Sequence, residues 1–262
     1  MRSLLNLVLC LAFTSQLVLS LHAIIPGTKL IDTDSWSSTD SGPLGLRADN
    51  FFLKTFRTQL ATSLLKSDSE FQPGYDGMID MIRLVHSSSS SKSDVVLKSR
   101  TALQSLFPNF PPAMNEEVGL LFWFKILFAR PLPVFSSKLN TWVTWWASQW
   151  LMGHSTIEDL DDAEVGDGQN QLLLVKRCRY LEASSCASVC VNTCKLPTQA
   201  FFNEDMGVPM RMIPDYETYA CRFEFGKKPT KEDEEVSKNV ACFVECPSKG
   251  EDRKRLSSSC MN

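Results

Sequence analysis

Three cysteines stand four residues apart in the sequence, at Cys186, Cys190 and Cys194. On a helix, positions four residues apart share nearly one face, so the three sulfurs are predicted to lie along one stripe. Two cysteines one helical turn apart have parallel Cβ vectors, which disfavours a disulfide between them. The spacing therefore favours either a shared metal ion or pairing with cysteines elsewhere in the chain.

The remaining cysteines are concentrated in the same part of the chain. Eight of the nine lie between Cys178 and Cys260. The ninth, Cys10, lies in residues 1–23, an apolar N-terminal segment that is typical of a cleaved secretory signal peptide. An even number of cysteines in an exported chain is typical of disulfides. The cysteines therefore belong to one local module, and Cys260 lies in a polar tail where we expect no role for it.

Thiolates can also hold a metal ion, and the spacing suits more than one. One possibility is a four-sulfur zinc site, which is usually built from two short cysteine pairs called knuckles. Two C-x3-C pairs match this pattern: Cys186 with Cys190, and Cys242 with Cys246. Soft sulfur ligands equally suit iron or an iron–sulfur cluster. The residues alone leave zinc, disulfides and iron as alternatives.

The overall composition excludes several other functions. The chain has 262 residues, 44% of them hydrophobic, which is enough for a sizeable core. Its net charge of −3 comes with scattered lysines and arginines, so no nucleic-acid partner is expected. The P-loop, G-x-G-x-x-G, H-E-x-x-H and G-x-S-x-G motifs do not occur, and the three histidines stand alone in the sequence.

The pattern along the chain predicts an α+β protein whose N-terminal half is mainly helical and carries a lipophilic aromatic region. A small mixed α/β, Cys-rich, metal-binding module follows it. The predicted divisions are a signal peptide (1–23), a flexible or transit-like leader (24–48), a helical apolar substrate-binding region (49–167), the Cys-rich domain (168–247) and a disordered tail (248–262). Helical periodicity predicts helices over 49–65, 75–86 and 94–107, and strands are predicted over 171–182 and on both sides of a turn at Pro214.

Residues 118–151 are the most apolar part of the chain. Lys125 and the Arg130–Pro131 pair interrupt them, so the apolar run is too short and too charged for a transmembrane span. One interpretation is a buried helix pair around a Pro-rich turn. The other is that the tryptophans line a lipophilic tunnel or contact a membrane surface. The residues concerned are Trp123, Trp142, Trp145, Trp146 and Trp150.

One stretch carries a family resemblance. It contains C-R-Y-L-E, cysteines at C-x7-C-x3-C-x3-C, V-N-T-C-K-L-P-T-Q-A-F-F and a later Y-E-T-Y-A-C-R-F-E-F-G. These motifs resemble the C-terminal domain of the plant and algal β-carotene isomerases that open the strigolactone pathway. Weaker likeness at D-N-F-F-L-K-T-F and G-Y-D-G-M-I-D-M-I-R extends the resemblance over roughly residues 49 to 228.

The resemblance implies a plastid, iron-containing enzyme that interconverts all-trans- and 9-cis-β-carotene or a related carotenoid. The signal-like N-terminus then suggests a plastid reached through the secretory route, with secretion or the endomembrane lumen as alternatives. Iron, mononuclear or clustered, is expected on sulfurs of the cysteine set, with zinc as the alternative: Cys178, Cys186, Cys190, Cys194, Cys221, Cys242 and Cys246. No electron donor is indicated by the sequence.

Two chemical routes can weaken one double bond of a polyene. One is electron exchange with an iron centre. The other is protonation by an acid whose pKa is raised in an apolar site, for which Glu182, Glu204 and Asp205 are the candidates. A competing hypothesis is a non-catalytic lipid- or carotenoid-binding protein in which zinc or disulfides stabilise the cysteine module.

Overall fold

Helices make up the described chain as far as residue 152. The computed structural model describes residues 45–64, 66–113 and 117–238. Five helices cover the first part: α1 (Gly45–Ser63), α2 (Gly74–Ser88), α3 (Lys92–Gln104), α4 (Gly119–Phe124) and α5 (Pro133–Met152). A short 3-10 turn, Asp68–Glu70, lies between α1 and α2.

The first three helices confirm the periodicity predictions, and local residues explain where they begin. Ser91 precedes α3, and its side chain accepts a hydrogen bond from the Asp94 N–H at 3.2 Å. Such a cap satisfies a backbone donor that has no partner within the helix. Arg57 of α1 is buried and donates to the Gly74 carbonyl at 2.7 Å, which ties α1 to the start of α2.

The predicted helix pair around a Pro-rich turn is also confirmed. Helix α4 continues as a π-helical turn, Lys125–Ala129, and α5 begins at Pro133. Proline suits the first turn of a helix because the missing N–H would have no intrahelical acceptor there. Among the described residues, no helix is both long and apolar enough to cross a bilayer.

Four short strands form one antiparallel sheet in the order β1-β2-β4-β3. The strands are β1 (Ser155–Glu158), β2 (Leu172–Val175), β3 (Met210–Pro214) and β4 (Cys221–Phe225). The strands on both sides of Pro214 match the prediction, whereas the strand predicted over 171–182 ends at Val175. The second half of that predicted strand instead forms the start of helix α6 (Arg179–Ser184).

The acidic segment between β1 and β2, which contains the predicted division at residue 168, is held to the sheet by Gln171. The Gln171 side chain is fully buried, accepts from the Gly168 N–H at 3.0 Å, and donates to the Val165 carbonyl at 2.7 Å and the Phe225 carbonyl at 2.9 Å. Strand β1, which precedes residue 168, pairs with β2, which follows it. The predicted boundary near 168 therefore lies between two paired strands.

The segment that carries the C-x3-C-x3-C spacing alternates between two helix types. It consists of α7 (Ala187–Val189), a π-helical turn (Cys190–Lys195), α8 (Leu196–Ala200) and a second π-helical turn (Phe201–Met206), and we call residues 187–206 the cysteine helix. Helix α9 (Lys231–Lys238) ends the described chain.

The predicted α-helical stripe of three sulfurs is wrong for Cys186. This residue precedes the first turn with extended backbone angles, φ −145° and ψ 114°, so it lies outside the helix. Cys190 and Cys194 lie in a π-helical turn rather than in an α-helix. The α+β class is confirmed, and one hydrophobic core joins the helices, the sheet and the cysteine helix.

Candidate functional site

Three elements bring four cysteines to one place in the core. Cys178 lies just before α6, and its N–H donates to the Tyr219 carbonyl at 2.7 Å, which positions it beside the start of β4. Cys221 is the first residue of β4 and pairs with Val175 of β2. With Cys190 and Cys194 of the cysteine helix, these residues form what we call the thiol cluster.

Burial makes the thiols of this cluster weak acids. It raises the pKa of Cys178 to about 11 and that of Cys194 to about 12. It also raises the pKa values of Cys190 and Cys221 well above their usual range, and the neighbouring thiolates add to the shift in each. Thiolate charge on Cys178 acts on each of the other three sulfurs, so the four lie within electrostatic reach of one another. In the absence of a metal ion, they are protonated at neutral pH.

Three tyrosines and a lysine surround the thiol cluster. Tyr75 donates to the Leu151 carbonyl at 2.7 Å, and the hydroxyls of Tyr180 and Thr193 are 2.6 Å apart. Burial raises the pKa of both phenols, and that of Tyr216, with further contributions from cluster thiolates.

Lys195 follows Cys194 and is also buried. Burial lowers the pKa of its ammonium group, while negative charge on Asp233 and on the thiols of Cys190 and Cys221 acts in the opposite direction. A cation close to these two sulfurs would stabilise their thiolate forms.

The donor set suits a soft metal, but the described residues alone do not complete a site. Four thiols are grouped, and none of the described cysteines is joined to another in a disulfide. Yet no three His, Cys, Asp or Glu side chains within the described ranges converge closely enough to hold one metal ion. A metal centre here would need further ligands or a movement of the thiols.

Of the other three predicted ligands, the structure describes only Cys186. Cys186 is buried at the start of the cysteine helix, and its carbonyl accepts from the Cys190 N–H at 3.1 Å. Cys242 and Cys246 lie outside the described residues. The same holds for residues 1–44 and for the tail after residue 238, which include the predicted signal peptide and most of the predicted leader. The last four residues of that leader, 45–48, begin helix α1, so the prediction of a flexible segment is wrong for them.

A small cavity of about 30 Å³ adjoins the thiol cluster. Cys194, Thr193 and Tyr180 line one side, and apolar side chains of α1, α2 and α3 line the other. Drug-sized ligands occupy pockets of roughly 300–1,000 Å³. The cavity is therefore too small for a carotenoid in this conformation, and none of the five tryptophans lines it.

The five tryptophans lie in three different environments. Trp145 and Trp150 pack against the core, where Trp145 donates to the Ser155 carbonyl at 3.0 Å and Trp150 meets Phe56 edge to face. Trp142 and Trp146 stack on each other with ring centroids 6.5 Å apart. Trp123 packs against Phe122, and its buried indole N–H has no acceptor among the described residues.

The three candidate acids are all held in ion pairs. Arg177 donates to both carboxylate oxygens of Glu182 and lowers its pKa, which is opposite to the shift that a general acid requires. Arg100 of α3 binds Asp205 through two hydrogen bonds and also reaches Glu204. These carboxylates join α3 to the end of the cysteine helix.

The tyrosines and Lys195 were not predicted from the sequence. Tyr75 is more than 100 residues away from Cys178 in the sequence, so no local spacing could link the two. Lys195 directly follows a predicted ligand, which is the one sequence signal that could have drawn attention to it.

Comparisons with known proteins single out the same part of the chain. Residues 150–234, which include the whole thiol cluster, match the family described as "Beta-carotene isomerase D27-like, C-terminal". A protein of Medicago truncatula named "Beta-carotene isomerase D27, chloroplastic" is 23% identical over 231 residues, which cover 87% of this chain and 86% of that protein. The protein of the same name from Arabidopsis thaliana is 27% identical over 205 residues, which cover 76% of this chain and 72% of that protein. No solved structure matches the chain.

Proposed function

Since this chain resembles the β-carotene isomerase family, most strongly over its D27-like C-terminal domain, we propose that it is a cis/trans isomerase of a carotenoid. The observation that carries the proposal is the match of residues 150–234, within which the fold groups three buried thiols and one partly buried thiol. The reaction we propose is conversion of all-trans-β-carotene, or a related carotenoid, to the 9-cis isomer. The product would feed strigolactone-like or apocarotenoid biosynthesis.

The chemistry of the substrate determines which interactions the chain must provide. A carotene is a hydrocarbon with no polar group, so apolar side chains must bind it and exclude water. The cavity beside Cys194 and the stacked pair of Trp142 and Trp146 offer apolar surface, and the cavity must enlarge before a polyene can enter it. Rotation about one double bond then follows from a temporary loss of bond order.

We propose iron as the cofactor, held by sulfurs of the thiol cluster together with Cys186, Cys242 or Cys246. The support is the chemistry of the grouped sulfurs, which suits iron. When bound, iron would supply electron exchange with the polyene. The chain's own part is to give up thiol protons on binding the metal, and the positive charge of Lys195 close to Cys190 and Cys221 would favour that loss.

The protonation route has less support. Glu182 has a lowered pKa beside Arg177, and Glu204 and Asp205 are bound to Arg100. A carboxylate with a lowered pKa, such as Glu182, is a poor proton donor at neutral pH because its charged form is stabilised. We therefore favour the electron-exchange route for this chain.

Location and membrane contact belong to the same proposal. The two named relatives are chloroplastic, and we propose a plastid location, reached through the secretory route because of the signal-like residues 1–23. A carotenoid dissolves in the hydrocarbon core of a membrane, so peripheral membrane contact would bring the enzyme to its substrate.

The test is to supply the purified full chain with all-trans-β-carotene and, separately, with 9-cis-β-carotene in detergent micelles. Chromatographic separation of the products should show both substrates approaching one equilibrium mixture. Metal analysis of the same sample should find iron, with visible absorption from sulfur-to-iron charge transfer. Boiled protein is the control for thermal isomerisation.

The competing function is a carotenoid- or lipid-binding protein without catalysis. The thiols' raised pKa values and the lack of three converging donors in the described part of the chain favour that alternative. Zinc or no metal, together with bound carotene that is never isomerised, would establish the binding protein instead.

A further inference from the structure

The turn between α4 and α5 exposes an unusual concentration of apolar side chains. Leu127 is 47% exposed, Leu132 50% and Phe135 51%, and every residue from 130 to 135 is exposed. We call residues 127–135 the hairpin tip. Exposed apolar residues that occur singly need no explanation, but a contiguous group marks an interaction surface.

Several backbone groups of the hairpin tip are satisfied without water. The Leu132 N–H donates to the Phe128 carbonyl at 2.9 Å, and the Ser136 N–H donates to the Leu132 carbonyl at 2.9 Å. Pro131 and Pro133 have no N–H to satisfy. These positions would therefore add no unpaired N–H group if the tip entered hydrocarbon, where each such group is costly.

The segment that contains the tip carries basic but no acidic residues. Between residues 118 and 157 there is no Asp or Glu, and the charged side chains are Lys125, Arg130 and Lys138. Lys138 pairs with Asp167, and Lys125 donates to the Glu204 carbonyl, while Arg130 is exposed at the tip itself. An apolar tip beside a cation matches the surface of a bilayer with anionic headgroups.

We propose that the hairpin tip inserts into one leaflet of an anionic lipid bilayer, with Leu132, Val134 and Phe135 in the acyl region and Arg130 at the headgroups. This inference rests on the proposed function, which requires access to a membrane-dissolved substrate. A second copy of the chain is a poorer occupant, because two such tips would bring cations against cations. No described helix crosses the bilayer, so the contact is with one leaflet.

The test uses the full chain and sedimentation with vesicles of equal parts phosphatidylcholine and phosphatidylglycerol. Leu132→Glu should weaken binding about tenfold or more, because a carboxylate replaces buried hydrocarbon. Leu97→Glu is the matched control, since Leu97 on α3 is 62% exposed and lies outside the tip. Val134→Trp should strengthen binding, because tryptophan favours the membrane interface.

Charge is tested separately with Arg130→Ala. It should weaken binding to the phosphatidylglycerol vesicles and leave binding to pure phosphatidylcholine vesicles unchanged. Unfolding temperatures of all variants are measured in parallel, and only variants that match the wild type are compared.

Two outcomes would overturn the inference: equal binding of Leu132→Glu and Leu97→Glu, or binding that Val134→Trp does not change. Either would assign the membrane affinity to another part of the chain. Because binding is measured without turnover, wild-type activity in detergent micelles separates the two proposals. An inactive wild type that still binds through the tip contradicts only the proposed function.

Discussion

Cys190 lies within electrostatic reach of the other three thiols of the thiol cluster and of a lysine. Its neighbours are Cys178, Cys194, Cys221 and Lys195. These residues come from three separate elements, so a change at Cys190 tests the whole cluster.

Replacing Cys190 by Ser should remove bound iron and reduce isomerase activity to background together. Serine keeps the size of the side chain, but its hydroxyl is a much poorer ligand for a soft metal than a thiolate. Metal analysis and product chromatography on the same sample provide the measurement. Cys260→Ser, which removes a cysteine outside the proposed ligand set, is the control, and full activity of Cys190→Ser without metal would disprove the iron proposal.

His86 on α2 predicts a pH dependence of stability. Its side chain is buried, with Nε2 3.0 Å from the Ser188 hydroxyl, and burial lowers its pKa from the ordinary value of about 6.5. As the pH falls, the unfolded chain therefore takes up this proton before the folded chain does. The stabilisation is complete above about pH 6.5 and is lost as the pH falls through the pKa of the folded state.

The free energy of unfolding should therefore decline as the pH is lowered from about 7 towards 5, and His86→Gln should reduce that slope. Ser188→Ala, which removes the hydroxyl partner but keeps the imidazole, should retain the slope. Urea titrations at several pH values provide the measurement. Identical slopes for the wild type and His86→Gln would show that another group is responsible.

At the scale of elements, the π-helical turns of the cysteine helix determine how its side chains are presented. Such turns are rare and often occur at functional sites. Periodicity could not predict them, because both helix types place residues four apart on similar faces. The first turn contains Cys190 and Cys194, and the second ends with Met206 and Gly207, whose φ of 72° suits glycine.

The loop between β1 and β2 depends on Gln171. Gln171→Leu should lower the free energy of unfolding by about 2–4 kcal/mol, because the buried Gly168 N–H and two carbonyl groups lose their partner. Urea denaturation provides the measurement. Gln169→Leu, at an exposed position of the same loop, should change the free energy of unfolding by less than about 0.5 kcal/mol. A neutral Gln171→Leu would show that the loop does not depend on these hydrogen bonds.

Helix α5 offers a comparison between a stacked tryptophan and a core tryptophan. Trp146→Ala should lower carotene turnover severalfold and leave the iron content unchanged, because its ring stacks on Trp142 outside the core. Trp150→Ala should mainly lower the free energy of unfolding, by roughly 2–4 kcal/mol, because its ring packs on Phe56. Steady-state kinetics and urea titrations separate the two effects. An unchanged rate in Trp146→Ala would make it a structural residue.

At the scale of the whole molecule, the helical part and the Cys-rich part share one core. Tyr75 of α2 belongs to that core together with residues of β2 and β4, and the Arg179 guanidinium lies 3.8 Å from the centre of the Tyr75 ring. Arg83 of α2 also donates to the Ala183 carbonyl at 3.0 Å. The predicted division at residue 168 therefore separates residues that pack together.

A fragment of residues 168–247 should not fold cooperatively. It lacks β1, which pairs with β2, and it lacks the helices that cover the thiol cluster. Near-ultraviolet circular dichroism and urea titration should show no cooperative transition, whereas residues 45–247 should show one. Cooperative unfolding of the shorter fragment would support the boundary predicted from the sequence.

Much of the secondary structure could be predicted because its causes are local. The apolar spacing in α1, α2 and α3, the proline turn before α5 and the turn after Pro214 all depend on neighbouring residues. Strand β1 was missed because its four residues follow the helical run of α5 directly. Helix α9 was missed because its sequence is charged and has little apolar pattern.

The sequence by itself determined the α+β class, the concentration of cysteines after residue 178 and the family resemblance, because these depend on residue types and short spacings. Only the tertiary structure decided which of those cysteines meet. Cys221 lies near Cys178 because β4 pairs with β2, and Tyr75 lies near Cys178 because α2 packs on α6. Long-range packing likewise buried Lys195 and left the hairpin tip exposed. Both results depend on contacts between residues that are distant in the sequence.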